Sequence, residues 1–280
     1  MRIELEDNYE DVLIKAATGL GLGKSKLAEL AGLTSQQVTS LLKGNFDSLS
    51  SSKVAVVLGL HPDAVEALAS GESTPKQFKL KNLHTFNTSF SIPGFGQMTV
   101  NSFLVKCPKS SAAVLFDTGT DPDQILATIH SIGASLQAIY LTHTHRDHVA
   151  SVSALLAAFS SATLYGPKRE PFAGAYGVSD EDCFDVGSLQ IKARLTNGHS
   201  KGGTSYLIDG LTKKIACVGD ALFACSQGGV PAAQYAKSLE INRSQLLSLP
   251  SDTVLCPGHG PLTTVAHERS WNPFYAGLKQ

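Results

Sequence analysis

The sequence predicts a layered α/β domain over residues 76–280, preceded by a small all-α unit over residues 1–75. Three observations carry this. From Tyr9 to about Ala69 apolar residues recur at intervals of three and four, the helical period, and no alternating run is long enough for a strand. Gly71-Glu72-Ser73-Thr74-Pro75 then combines turn formers with a proline, the composition of a boundary. From Phe78 onward short apolar or β-branched runs alternate with helical stretches, as they do where strands are layered against helices. A chain of 280 residues also exceeds what one hydrophobic core comfortably serves, which suits a large unit plus a small one.

Within the larger unit, Thr99–Lys106, Ala113–Phe116, Ala138–Thr142, Ala162–Tyr165, Leu189–Thr196, Thr204–Ile208, Lys214–Val218 and Thr253–Cys256 have the residue types of strands. Asp121–Ile132, Val149–Phe159 and Gln234–Leu247 have the helical period, the first with Asp121 as its cap and Pro122 at its first position.

With 42% hydrophobic and 17% charged residues, the composition excludes a disordered chain. A formal net charge of −1 gives no general attraction to nucleic-acid phosphates or to an anionic membrane, so any anion binding must be local. The acidic start, Met1-Arg2-Ile3-Glu4-Leu5-Glu6-Asp7, lacks the basic region and apolar stretch of a secretory signal, and no segment approaches membrane-spanning length. A cytoplasmic protein without a membrane partner is expected. Cys107, Cys183, Cys217, Cys225 and Cys256 are odd in number and scattered, which reads as buried free thiols.

The chemistry concentrates in Leu141-Thr142-His143-Thr144-His145-Arg146-Asp147-His148, between an expected strand and an expected helix. Imidazole nitrogen suits zinc, iron and manganese, and a carboxylate accompanies it where an ion keeps a position open for water. In extended chain His143 and His145 point the same way, while Asp147 and His148 follow at the turn and could serve a second ion. His199, Asp220 and His259 each close an expected strand, where side chains from distant parts of a chain can converge. The other four histidines, His61, His84, His130 and His267, have no ligand-like neighbours and read as surface or packing residues.

The order His143, His145, Asp147, His148, then His199, Asp220 and His259, resembles the ligand set of the metallo-β-lactamase superfamily. That resemblance covers roughly Phe78 to the C-terminus and implies an αβ/βα sandwich. It also implies two divalent metal ions, with zinc expected and iron or manganese as alternatives. His143, His145 and His199 would hold one ion, Asp147, His148 and His259 the other, and Asp220 would bridge them. Asp117 in Phe116-Asp117-Thr118-Gly119 matches a supporting position beside the site. The retained bridging carboxylate points away from true β-lactamases, and the want of a long inserted nuclease domain points away from RNA-processing members. Gly219-Asp220-Ala221-Leu222-Phe223 and Pro257-Gly258-His259-Gly260-Pro261-Leu262-Thr263-Thr264, with Glu268-Arg269 and Asn272-Pro273-Phe274, are similar to small glyoxalase II-like enzymes. Ser226-Gln227-Gly228-Gly229 stands where many of these carry a glycine-arginine pair, and no counterpart follows of the C-terminal helical domain that binds glutathione in longer enzymes.

The resemblance implies hydrolysis of a thioester or ester by a hydroxide held between two ions, with Asp147 as the catalytic group that orients the nucleophile and relays a proton. The rival within the same fold is a persulfide dioxygenase with one iron on His143, His199 and Asp220. Lys168, Arg169 and Tyr206 could offer contacts to an anionic substrate, with a solvated loop as the reading preferred for Lys168-Arg169.

In the N-terminal unit, Leu27-Ala28, Gly32-Leu33, Val38 and Leu41 have the spacing of a helix-turn-helix of the Cro/repressor type, similar also to the N-terminal domain of cyanase, which serves assembly. Thr34, Ser35, Gln36, Gln37 and Ser40 would face outward. Residues 1–75 carry six Lys or Arg against ten Asp or Glu, a net of −4, and Lys43 alone is basic on or beside the second helix. A packing role or homo-oligomer contact is therefore expected ahead of DNA binding. A DNA-binding regulator that senses a metabolite through its metal domain is the reading of a different class.

Overall fold

The computed structural model describes residues 2–92 and 96–277. Five short helices come first: α1 (Tyr9–Gly19), α2 (Lys24–Ala31), α3 (Ser35–Leu41), α4 (Ser48–Val57) and α5 (Pro62–Ser70). Their ends follow from local chemistry. Asn8 caps α1, its N–H donating to Asp11 Oδ2 at 3.0 Å. Gly32, at φ 62°, and Gly71, at φ 79°, end α2 and α5 in the left-handed region that only glycine enters freely. Thr34 caps α3, its Oγ1 accepting from Gln37 N, while Gln37 Oε1 accepts the Thr34 N–H. Leu27, Ala28, Val38 and Leu41 are buried between α2 and α3, and Gln36, Gln37 and Ser40 are exposed, as the spacing predicts.

Two six-stranded sheets follow. The first runs β1 (Leu83–Ile92), β2 (Gly96–Lys106), β3 (Ala112–Phe116), β4 (Ser135–Tyr140), β5 (Thr163–Pro167) and β6 (Tyr176–Val178) in spatial order. The second is ordered β12 (Thr263–Thr264), β11 (Val254–Pro257), β10 (Ile215–Gly219), β9 (Thr204–Asp209), β8 (Leu189–Leu195) and β7 (Cys183–Val186). Every expected strand is present. β1, β6, β7 and β12 were not predicted: on β1 the polar Thr88 shares the inward face with Phe86 and interrupts its apolar character, and the other three are too short to show a period.

The sheets stack through Phe103, Val105, Phe116 and Tyr140 on one side and Ile191, Tyr206, Ile208, Ile215, Cys217 and Cys256 on the other. Period two then turns their neighbours outward. Leu104, Leu115 and Ile139 meet α6 (Asp123–Ser131) and α8 (Val152–Ala158) through Ile125, Ile129, Val152 and Leu155. Leu207, Ala216, Val218 and Leu255 meet a second helical layer that includes α9 (Ala232–Gln245). The result is an α/β sandwich of two sheets between helices. α6 is capped one residue later than expected, at Pro122, with Asp121 Oδ1 accepting from Asp123 N, and the helix expected over Val149–Phe159 starts later, as α8, after a separate short helix α7 (Arg146–Val149) that was not expected.

The N-terminal helices share the core of that second layer: Tyr9, Val12, Leu13, Ala16 and Leu27 belong to one apolar cluster with Val218, Leu222, Tyr235 and Tyr275. Gly19 permits this approach, since a Cβ there would lie 2.2 Å from Tyr235 Cδ2. Lys15 fastens the same face by pairing with Asp7 and donating to Gln227 O at 2.9 Å, and the Ser226 hydroxyl donates to Asp7 Oδ2 at 2.6 Å. Among the described residues no helix is long and apolar enough to cross a membrane.

Candidate metal centre

Strand directions decide where the site forms. β9 is antiparallel to both β8 and β10, and β10 is parallel to β11, so β8, β10 and β11 end on the same rim. His199, Asp220 and His259 follow those three ends. In the first sheet β3 and β4 run parallel, and Asp117 and the His143–His148 segment follow their C-terminal ends. All seven candidates converge there in two groups, His143, His145, His199 and Asp220, and Asp147, His148 and His259.

Asp220 lies between the groups. Its Oδ2 is 3.3 Å from His199 Nε2, 4.0 Å from His143 Nε2 and 3.4 Å from His259 Nε2, and its Oδ1 is 3.3 Å from His148 Nε2. Asp147 Oδ2 is 3.6 Å from His148 Nε2 and 3.4 Å from His259 Nε2. His145 Nδ1 sits 3.1 Å from His199 Nε2. Buried polar atoms normally find hydrogen-bond partners, yet His143 Nε2, His148 Nε2 and Asp220 Oδ1 make no hydrogen bond. Uncompensated nitrogen and carboxylate atoms aimed at one space are the donor set that suits a divalent ion. Glycine at 258 is required by that crowding, because a Cβ would fall 2.2 Å from Asp220 Oδ1 and 2.6 Å from His148 Cε1.

The far sides of the imidazoles are held by the protein, which fixes the nitrogen left for an ion. Asp117, at φ 54°, accepts from Thr142 N, Thr142 Oγ1 and His148 Nδ1, each at 2.8 Å. Because the Thr142 hydroxyl donates to Asp117, its oxygen is left to accept from His143 Nδ1 at 3.0 Å. His199 Nδ1 donates to Gly229 O at 2.9 Å and His259 Nδ1 to Thr99 O at 2.6 Å.

The electrostatics divide the same way. Burial, with His148 adding to it, holds His143 well below the ordinary imidazole range, and burial lowers His199. Burial also opposes charge on His148, but Asp117 and Asp220 outweigh it and push its pKa up to about 10. His259 is raised against its burial by Asp220 and Asp147. Burial would raise Asp220, but His259 and His148 keep its carboxyl well below the usual range. Asp117, Asp147 and Asp220 thus favour positive charge in the cavity.

Several neighbours carried no sequence signal. Burial pushes Glu6 up to about 7, and its Oε2 is 3.9 Å from His259 Nδ1. The rings of Phe90 and Phe223 flank His259, with centroids 6.3 and 5.4 Å away. Glu6 and Phe90 each lie more than a hundred positions from His259 in the sequence. Tyr206 is fully buried and its hydroxyl donates to Leu141 O at 2.9 Å, so it is not free for an anion; Lys168 and Arg169 are exposed. Four cysteines are buried and Cys183 is exposed, against the expectation for all five. A third group, Cys225, His267 and Glu268, is closed by its own bonds: Glu268 accepts from Cys225 N, Thr263 Oγ1 and Asn272 Nδ2, and His267 Nε2 donates to Ser73 O.

Comparison with known proteins agrees with this geometry. The hydroxyacylglutathione hydrolase of Aeromonas hydrophila is 35% identical over 145 residues, 50% of this chain and 54% of that enzyme, so the match spans about half of its length. That of Salmonella dublin is 30% identical over 203 residues, 68% of this chain and 76% of the enzyme. Among solved structures, ETHE1 from Myxococcus xanthus superposes with a TM-score of 0.57 at 26% identity, covering 69% of this chain and 86% of that one. The family model described as Metallo-beta-lactamase superfamily matches residues 95–259, more than half of the sequence and six of the seven cavity residues before it ends on the last, His259, and the chain belongs to that superfamily.

Proposed function

We propose that the chain is a dinuclear metallo-hydrolase acting on a thioester or ester, in the manner of hydroxyacylglutathione hydrolases. His143, His145 and His199 would hold one ion, Asp147, His148 and His259 the second, and Asp220 would bridge them. The observation that carries this is Asp220 lying within 4.0 Å of imidazole nitrogens from both groups while His143 Nε2, His148 Nε2 and its own Oδ1 lack hydrogen bonds. Bound there, two divalent ions supply water acidified towards neutrality and a Lewis acid for the substrate carbonyl. Zinc suits the set of five imidazoles and two carboxylates, and iron or manganese would also be accepted.

Asp147 is the residue that would orient the attacking water and pass a proton to the leaving group, since it is the carboxylate of the second group that does not span both. Phe90 and Phe223 form apolar wall beside His259, suited to the carbon skeleton of an acyl group. The test is elemental analysis of the purified protein together with turnover of thioesters, esters and lactones. About two ions per chain with hydrolysis is the expected result.

A second reading, a persulfide dioxygenase using one iron on His143, His199 and Asp220, is favoured by the likeness to ETHE1. One iron per chain with oxygen uptake on glutathione persulfide would establish it in place of the first. For the N-terminal helices we propose a helix-turn-helix of packing or homo-oligomeric use. DNA binding is disfavoured by the net of −4 over residues 1–75 and by Gln37, whose side chain is committed to the Thr34 cap. A shift of random duplex by micromolar protein at low salt would restore the regulator reading. A cytoplasmic location, which suits free thiols, belongs to the same proposal.

A further inference from the structure

We infer that Glu170 is a positioning residue for the first ligand group: its carboxylate ties the loop bearing His143 and His145 to the loop bearing His199, and so presets that half of the centre for a metal ion. The inference rests on the metal-centre reading above and deepens it. Glu170 follows β5 and is none of the seven residues in the cavity. Its Oε1 accepts from the Thr144 N–H at 2.9 Å and the Thr144 hydroxyl at 2.5 Å, and its Oε2 accepts from the Gly202 N–H at 2.9 Å. Thr144 stands between His143 and His145, and Gly202 lies three residues beyond His199. The two loops leave different sheets, and the clamp adds to one main-chain bond between them, from Thr204 N–H to Thr142 O at 2.9 Å.

The fit is close. A Cβ on residue 202 would lie 2.5 Å from Glu170 Cβ and 2.9 Å from Glu170 N, so glycine is needed for the loop to reach the carboxylate. The clamp also sets the spacing of two ligand nitrogens: His145 Nδ1 and His199 Nε2 are 3.1 Å apart, close enough to share a proton and to face one cation in its place. A carboxylate is suited to the work because all three partners are donors, and a charged acceptor makes the stronger hydrogen bonds. Thr144 and Gly202 also keep the Glu170 carboxyl below the ordinary glutamate range in spite of its partial burial.

The test is zinc binding by Glu170→Gln, which keeps the volume but turns an amide N–H₂ towards one of the donors. Zinc affinity is read by competition with a chromophoric chelator, bound zinc by elemental analysis, and melting temperature with and without zinc. Glu170→Gln should bind zinc about 10–100-fold more weakly at one of two sites, as is usual when support behind a ligand is removed. The zinc-induced rise in Tm should shrink while the zinc-free Tm moves less. Thr144→Val, which removes only the hydroxyl donor, should shift affinity in the same direction by less and serves if Glu170→Gln does not fold. Lys168→Gln, in the same loop with an exposed head, should match the wild type. Equal zinc affinity in wild type, Glu170→Gln and Thr144→Val, or equal loss of Tm with and without zinc, would overturn the clamp and leave the metal centre standing. Failure of the wild type to take up zinc, manganese or iron(II) would overturn the metal centre and the clamp with it.

Discussion

Asp117→Asn tests the centre without touching any residue proposed to hold an ion. Asp117 sits at φ 54°, a region asparagine enters more readily than most residues, so the backbone has little reason to move. What changes is hydrogen-bond polarity. The carboxylate accepts from Thr142 N on Oδ1, and from Thr142 Oγ1 and His148 Nδ1 on Oδ2. If the amide oxygen keeps the Thr142 N–H, its N–H₂ faces His148 Nδ1 and donates to it, which moves the His148 proton to Nε2, the atom facing Asp220. The Thr142 hydroxyl no longer has Asp117 to donate to, so it turns to His143 Nδ1 and moves that proton to Nε2 as well. One substitution thus places the wrong tautomer in both groups. Loss of such support usually costs about 10–100-fold in metal affinity, which is about 1.4–2.7 kcal/mol for each ion. Zinc titration against a chromophoric chelator reads both sites. Thr142→Val, which lacks the hydroxyl relay to His143 but leaves the Asp117–His148 bond, should weaken one site only. Two unimpaired sites in Asp117→Asn would refute the tautomer argument, whatever happened to turnover.

Asp220→Ala should abolish hydrolysis and reduce bound metal below two ions per chain, and a variant with both ions and full turnover by elemental analysis and thioester assay would remove the bridge. Gly258→Ala should lose metal with its fold retained, because the added methyl displaces Asp220 Oδ1 and His148; circular dichroism and zinc content together read this. Gly19→Ala should lower stability by about 1–3 kcal/mol, the ordinary cost of overpacking, since the added methyl meets the buried ring of Tyr235. If the N-terminal helices and the sandwich form one cooperative unit, its denaturant unfolding should remain a single transition, and an early separate loss of helix would count against a shared core. Lys15→Met leaves Asp7 with only the Ser226 hydroxyl and should cost about 1–3 kcal/mol by thermal denaturation, with zinc affinity unchanged.

The seven cavity residues were legible because ligand chemistry is local in type even where it is distant in space. Five imidazoles and two carboxylates of this kind stand out in a sequence whatever the loops around them do. The legible strands either run apolar with both faces covered, as β10 and β11 do, or alternate cleanly, as Leu189, Ile191 and Ala193 do on β8 with Gln190, Lys192 and Arg194 between them. β1 escaped because Thr88 stands on the inward face beside Phe86 where an apolar residue would mark a strand, and β12 because two residues have no period.

The sequence by itself determined what the chain could bind and the kinds of layer it could build, since side-chain type and periodicity are properties of short segments. The tertiary structure alone decided which atoms meet. It set Glu170 across two ligand loops and Glu6 beside His259, it joined the first five helices to the core of the second sheet, and it gave Asp117, whose place beside the site the resemblance had implied, its bond to His148 Nδ1. The physical reason is that a hydrogen bond or a packing contact between remote positions leaves no trace in either neighbourhood. A carboxylate that holds a metal loop in place is spelled the same way as one that faces water.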